Sequence, residues 1–312
     1  MRTVLFSGSV IALLAGGLHA ETVGVSMQSF NDNFQTLLRH GIIDRAEELG
    51  LEIQVEDSDR DVGKQLNQVS NFLASGVDGI IVTLADTSAA PGITQAAETA
   101  GTPLVYVNMT PVNVDNLPDD EVYVGSDELE AGRLGAEEAC RILREQGRTE
   151  AGAYILMGDL AHDGATKRTQ AVRDVLGTDE CSFITIVDAQ SALWLRTTAL
   201  DVMTNWLTTG ASFDVVFANN DEMAIGAIQA MRSAGIDKDE VIVVGVDATQ
   251  DGLAAMAAGE LDVTAFQNVH GQATGAVDAL VALTKGEDIA RITHIPFELV
   301  IPENMDAYSG KN

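Results

Sequence analysis

From residue 22 onward, short apolar runs rich in Val and Ile alternate with longer stretches in which apolar positions recur every three or four residues. TVGVSM (22–27), LEIQVED (51–57), GIIVTL (79–84) and PLVYVN (103–108) read as strands. FQTLLRHGIIDRAEELG (34–50), VGKQLNQVSNFLASG (62–76) and SAAPGITQAAETAG (88–101) read as helices, each ending on a glycine suited to a left-handed C-terminal cap. Strands that are apolar throughout and joined by helices belong to a parallel sheet covered on both faces. After the loop 110–121 and a strand at 122–126 the rhythm resumes, with AYILMG (153–158), SFITIVDA (182–189), DVVFAN (214–219), VIVVGVD (241–247) and LDVTAFQ (261–267). Two successive series predict an α/β protein of two doubly wound parallel-sheet lobes rather than one very large sheet. In such sheets a ligand binds beyond the carboxyl ends of the strands, where the strand order reverses.

The first twenty residues break this rhythm. One positive charge at Arg2, an apolar run from Val10 to Leu18 and the small residue Ala20 before Glu21 predict a secretory signal peptide cut after Ala20. The apolar run is too short for a membrane span, which needs about 20 residues. The mature chain is therefore expected to be exported and periplasmic. Its net charge is −29, or −30 once Arg2 is removed with the first twenty residues, which argues against nucleic acid or an anionic membrane surface as a partner. A neutral or cationic ligand is compatible with that charge. Two cysteines in an oxidising compartment, Cys140 and Cys181, predict one disulfide, with two buried thiols as the alternative.

The chemistry collects at strand ends. Asp32 and Phe34 follow the first strand, Asn108 ends the fourth, Asn220 and Asp221 follow 214–219, and Asp247 and Gln267 end the last two strands. Asp32 and Asp221 could also serve only as helix caps, and capping is the favoured role for Asp221, directly before the helical run from Glu222 to Met231. Asn220 would then point its amide at a ligand. Thr249 can cap the helix that follows Asp247, which leaves Asp247 free to bind. Trp206, in the middle of a helical run, reads as packing. Asp57 to Gly63 imitates the start of a calcium loop, but Val62 stands where a glycine is required and Gln68 where a bidentate glutamate is required. No metal-ligand spacing, phosphate-binding glycine loop or nucleophile motif accompanies these residues, so no cofactor, no metal and no enzymatic activity are expected.

With the leader sequence, the stretches ANNDEMAIGA and VVGVDATQDG make the chain resemble, over essentially all of its mature length, the periplasmic receptors for ribose, galactose and inositol of ABC importers. The resemblance implies a type I periplasmic binding protein, with two lobes joined by a three-crossing hinge near Ser126, Gln267 to Asn268 and Val300. The lobes would comprise 21–126 plus 268–299 and 127–267 plus 300–312. It implies a ligand set of Asp32, Phe34, Asn108, His162, Arg168, Trp194, Asn220, Asp247 and Gln267, in which Phe34 and Trp194 stack on opposite ligand faces. Planar Asp, Asn and Arg groups suit adjacent hydroxyls, and aromatic rings suit the C–H faces of a polyol. Met109 replaces an arginine of the ribose-type receptors, and Gly164 replaces an acid of the galactose-type ones; the calcium loop of the latter has no counterpart in 144–153. The implied ligand is a neutral cyclitol or monosaccharide, myo-inositol-like or rhizopine-like ahead of galactose, glucose or ribose. The implied partners are a membrane permease and, compatibly, a chemoreceptor, with the receptor itself monomeric. A sugar-responsive repressor shares this fold but carries a basic helix-turn-helix where this chain has its leader, and an α/β enzyme is the remaining alternative.

Overall fold

A computed structural model describes residues 20–312, so all but the last residue of the expected signal peptide lies outside the described residues. The first series of the sequence forms β1 (Thr22–Met27), α1 (Asn33–Glu48), β2 (Glu52–Asp57), α2 (Val62–Ser75), β3 (Gly79–Val82), α3 (Ala90–Ala100), β4 (Leu104–Val107) and β5 (Glu121–Gly125). Every residue of β3, β4 and β5 is buried, which is why those runs carry no polar alternation. By contrast β2, at the sheet edge, keeps half-buried and exposed positions in its EIQVED sequence. The helices α2 and α3 end on Gly76 (φ 74°) and Gly101 (φ 67°), in the left-handed conformation that a side chain would strain.

The second series forms α4 (Glu128–Glu145), β6 (Ala151–Met157), α5 (Asp163–Leu176), β7 (Ile184–Ser191), α6 (Arg196–Leu207), β8 (Val215–Ala218), α7 (Asp221–Ser233), β9 (Ile242–Val244), α8 (Gln250–Ala257) and β10 (Thr264–Gln267). The chain then returns through α9 (Val269–Thr284) and β11 (Ile292–His294) before ending on β12 (Phe297–Val300) and a short 3-10 turn. Strand order in the first sheet is β11-β5-β4-β3-β1-β2, all parallel. In the second lobe β7-β6-β8-β9 are parallel, and single bridges from Val244 to Val263 and from Asp247 to Phe266 bring β10, with its antiparallel partner β12, alongside β9. Both lobes thus reverse strand order between their first and third strands, and their ligand-facing ends meet across one cleft.

The chain crosses between lobes after β5 at Ser126, between β10 and α9 at Gln267 and Asn268, and between β11 and β12. The last crossing differs from the expectation at Val300. Phe297 already pairs with Gln267, and Val300 with Thr264, so the whole of β12 is the antiparallel partner of β10 on the second-lobe side. Four residues are too short a pattern to reveal which of two distant sheets they join. Cys140 of α4 and Cys181, before β7, form a disulfide with Cα atoms 5.8 Å apart.

Candidate functional site

Between the lobes lies a small cavity lined by residues of both. Of the nine residues named by the sequence, eight line it: Asp32, Phe34 and Asn108 from the first lobe, Arg168, Trp194, Asn220 and Asp247 from the second, and Gln267 at a hinge crossing. His162 does not. Its ring is fully buried behind Trp194, whose indole N–H donates to Nδ1 over 3.0 Å. Five further residues line the cavity: Gln28, Gln35, Met109, Glu128 and Gly164.

Several of these side chains also hold their own loops. Asp32 caps α1, its Oδ1 accepting from the Gln35 N–H at 3.0 Å, while its Oδ2 lies 3.6 Å from Arg60. Capping and binding are therefore compatible at Asp32. The same holds for Asn220, which takes over the capping duty expected of Asp221 while still lining the cavity. Asn220, not Asp221, is the N-cap of α7, with Oδ1 accepting from the Met223 N–H at 2.9 Å. Asp221 begins the helix and is fully buried, accepting from the Thr249 N–H (2.9 Å), the Thr249 hydroxyl (3.2 Å) and the Thr264 hydroxyl (2.7 Å). It ties α7 to the loop that carries Asp247. Thr249 caps α8 as expected. Asp247 and Ala248 sit at φ 117° and 51°, a conformation that L residues keep only when their surroundings hold them. The Asn312 amide adds to that hold, donating to the carbonyls of Asp247 (2.7 Å) and Gln267 (2.8 Å).

Arg168 is the cation of the site. It donates through Nε to Glu128 (2.5 Å), through Nη1 to the Asn219 carbonyl (2.5 Å) and through Nη2 to Gln267 (3.3 Å), with Asp247 3.9 Å away. The pairing with Glu128 follows from the tight packing of α4 on α5: a Cβ at Gly132 would stand 2.2 Å from the Arg168 carbonyl oxygen. Glu128 also fills the space beside Gly164, its carboxyl carbon 3.3 Å from where a Cβ there would lie. A carboxylate from a different helix thus stands beside position 164. In the sequence Glu128 looks like an ordinary first-turn acid behind the cap Asp127, which hides this role.

Three carboxylates, Asp32, Glu128 and Asp247, share the cavity with one guanidinium. Burial pushes the Asp32 carboxyl above its ordinary range, against the pull of the Gln35 N–H and Arg60. Burial likewise raises Glu128, opposed by Arg168. Asp247 is raised most clearly, by burial and, against the pull of Arg168, by the negative charges of Asp221, Asp32 and Glu128. Among the described residues five buried side-chain atoms lack a hydrogen-bond partner, and three belong to this cavity's lining: Gln28 Oε1, Gln35 Oε1 and Gln267 Nε2. Buried polar atoms are seldom unpaired, and here two acceptors and one donor fall in the lining of one cavity. From Gln35 a relay runs through Asn108 Oδ1 (2.8 Å) and Gln272 (3.1 Å) to the Ser126 hydroxyl (3.0 Å) at the first hinge crossing.

The indole of Trp194 is set by Leu193 and Trp194 itself at φ 57° and 66°, and by Gly158, where a Cβ would meet the ring at 2.1 Å. The lobes also touch directly. Arg60 donates to the Leu193 carbonyl (2.9 Å), Thr87 N–H and hydroxyl donate to the Ala161 carbonyl (3.1 Å each), and Asn33 donates to Glu222 (3.3 Å). This is the closed arrangement of a hinged cleft.

Two α/β lobes, three crossings and a polar, aromatic cavity shut between them define a ligand-binding protein of the two-lobe receptor class. The chain belongs to the periplasmic binding protein family: the profile described as "Periplasmic binding protein domain" matches residues 23–288. It is 48% identical, over 100% of both chains, to the Rhizobium meliloti protein named "Putative rhizopine-binding protein". An ABC transporter solute binding protein of Bacillus halodurans C-125, solved with bound myo-inositol, superposes with a TM-score of 0.88 at 35% identity, covering 95% of this chain and 100% of that one. The Caulobacter myo-inositol binding protein, solved with myo-inositol, gives a TM-score of 0.83 at 27% identity, covering 93% and 98%.

Proposed function

We propose that the protein is the periplasmic receptor of an ABC importer for a cyclitol, of the myo-inositol or rhizopine kind, which it encloses between its lobes and hands to a membrane permease. The observation that carries this reading is the set of unpaired Gln28, Gln35 and Gln267 atoms beside Arg168, Asp32 and Asp247, between Phe34 on one lobe and Trp194 on the other. Planar acids, amides and a guanidinium address a rim of hydroxyls, and the two rings address the C–H faces. A micromolar affinity needs about 8 kcal/mol, or about 0.7 kcal/mol per heavy atom for a ligand of a dozen atoms, which such a set can supply. The rhizopine-binding and inositol-binding names of the relatives support the choice of a cyclitol over ribose or galactose.

A second reading within the same site is a ligand bearing an ammonium group. The excess of carboxylates over guanidinium in the cavity favours it, because a bound cation would relieve their mutual repulsion. Thermal unfolding with a panel of myo-inositol, amino-inositols, ribose, galactose and glucose tests both. A ligand at 100 times its Kd adds about 2.7 kcal/mol of stability. A larger shift with the amine than with myo-inositol selects the second reading, and no shift with any polyol rejects both.

A further inference from the structure

His162 lies outside the cavity lining, yet it makes the contact that joins the cavity's aromatic wall to the opposite lobe. Its Nε2 stands 3.1 Å from the Ala85 carbonyl oxygen, beyond the end of β3 in the first lobe. Its Nδ1 stands 3.0 Å from the indole N–H of Trp194. A carbonyl can only accept and an indole N–H can only donate, so the ring must be neutral with its proton on Nε2. The ring is fully buried, and among the described residues the Ala85 carbonyl and the Trp194 indole are its hydrogen-bond partners. We infer that His162 is a positioning residue, a cross-lobe latch that couples closure of the cleft to the placement of Trp194, and that its protonation opposes closure.

The surroundings agree. The charged groups facing the ring are Asp159 on its own turn, Asp32 at the cap of α1 and Arg60 from the loop after β2. Burial lowers the imidazole below its ordinary value despite the two acids, so the closed form keeps it neutral. Adding a proton at Nδ1 would set two N–H groups against each other across 3.0 Å and release the indole that Arg60 and Asn220 also hold, through the carbonyls of Leu193 and Trp194. An imidazole released to solvent in an open cleft titrates near 6.5. Affinity is therefore level above that pH and falls below it, about tenfold between pH 7.5 and 5.5.

Glutamine separates this from a purely structural role, because its amide offers one donor and one acceptor but does not titrate. Calorimetric titration with myo-inositol, which rests on the cyclitol reading, is expected to give His162→Gln a Kd within about threefold of the parent at pH 7.5. That variant should lack the tenfold acid loss of the parent, and His162→Ala should bind at least tenfold more weakly at both pH values. Parallel acid losses in parent and glutamine variant, or full affinity in the alanine variant, overturn the latch. If myo-inositol and every other polyol fail to bind the parent, the cyclitol reading is what fails. Nitrogen-15 NMR of the unliganded parent then decides the latch: a ring that becomes charged between pH 7.5 and 5.5 supports it, and a ring that stays neutral down to pH 5.5 overturns it.

Discussion

Asp221 has no solvent contact and satisfies three donors, two of them on Thr249 and one on Thr264. Removing its carboxylate leaves those donors buried and unpaired, so Asp221→Ala is expected to lower unfolding free energy by about 3–5 kcal/mol in urea titrations. Asn220→Ala loses a cap and is expected to lose only about 1 kcal/mol in the same assay. Ligand affinity should fall as well, because Asn220 lines the cavity. The sequence made both residues conspicuous but not their order of duty. A cap is defined by backbone angles at one residue, and the run Asn219-Asn220-Asp221 offers three side chains capable of it. Glu128 was less visible still, since only the approach of α4 to α5 turns a first-turn acid into the partner of Arg168.

At the scale of elements, the disulfide links the middle of α4 to the connection between α5 and β7, a separation of 41 residues in one lobe. Chain-entropy arithmetic for that loop gives about 4 kcal/mol, so Cys140→Ser with Cys181→Ser should lower the urea midpoint accordingly, as should reductant with the parent. The start of β5 carries a second, pH-dependent contribution. Glu121 is fully buried, accepts from the Thr94 hydroxyl through Oε2 and has no partner at Oε1; burial pushes its pKa up to about 7. Because the folded pKa lies above the unfolded one, this group's contribution is full below the ordinary carboxylate range and is lost as pH rises through 7. Glu121→Gln should flatten the fall in melting temperature between pH 6 and 8. The elements themselves were legible, since strands buried on both faces print continuous Val and Ile runs. What stayed illegible was β12, because antiparallel pairing with β10 is a long-range fact that FELV alone does not carry.

For the whole molecule, closure is carried by polar contacts from Arg60, Thr87 and Asn33 as well as His162, spread along the two sides of the cleft. Arg60→Ala removes both the Leu193 contact and the neighbour of Asp32, and is expected to raise the radius of gyration in solution scattering and weaken binding together. The two lobes were foreseeable from the repeated rhythm of strands and helices, whereas their closed geometry depends on carbonyls whose positions no side-chain pattern encodes. One further consequence concerns light. The sequence contains two tryptophans: Trp206 stacks on Tyr154 and donates to Asp188 within the second lobe, while Trp194 stands on the moving boundary. Replacing Trp206 with Phe would leave Trp194 as the one indole emitter, so intrinsic fluorescence should then rise or fall in proportion to the fraction of closed molecules. That variant is expected to report its own occupancy optically, with no attached dye.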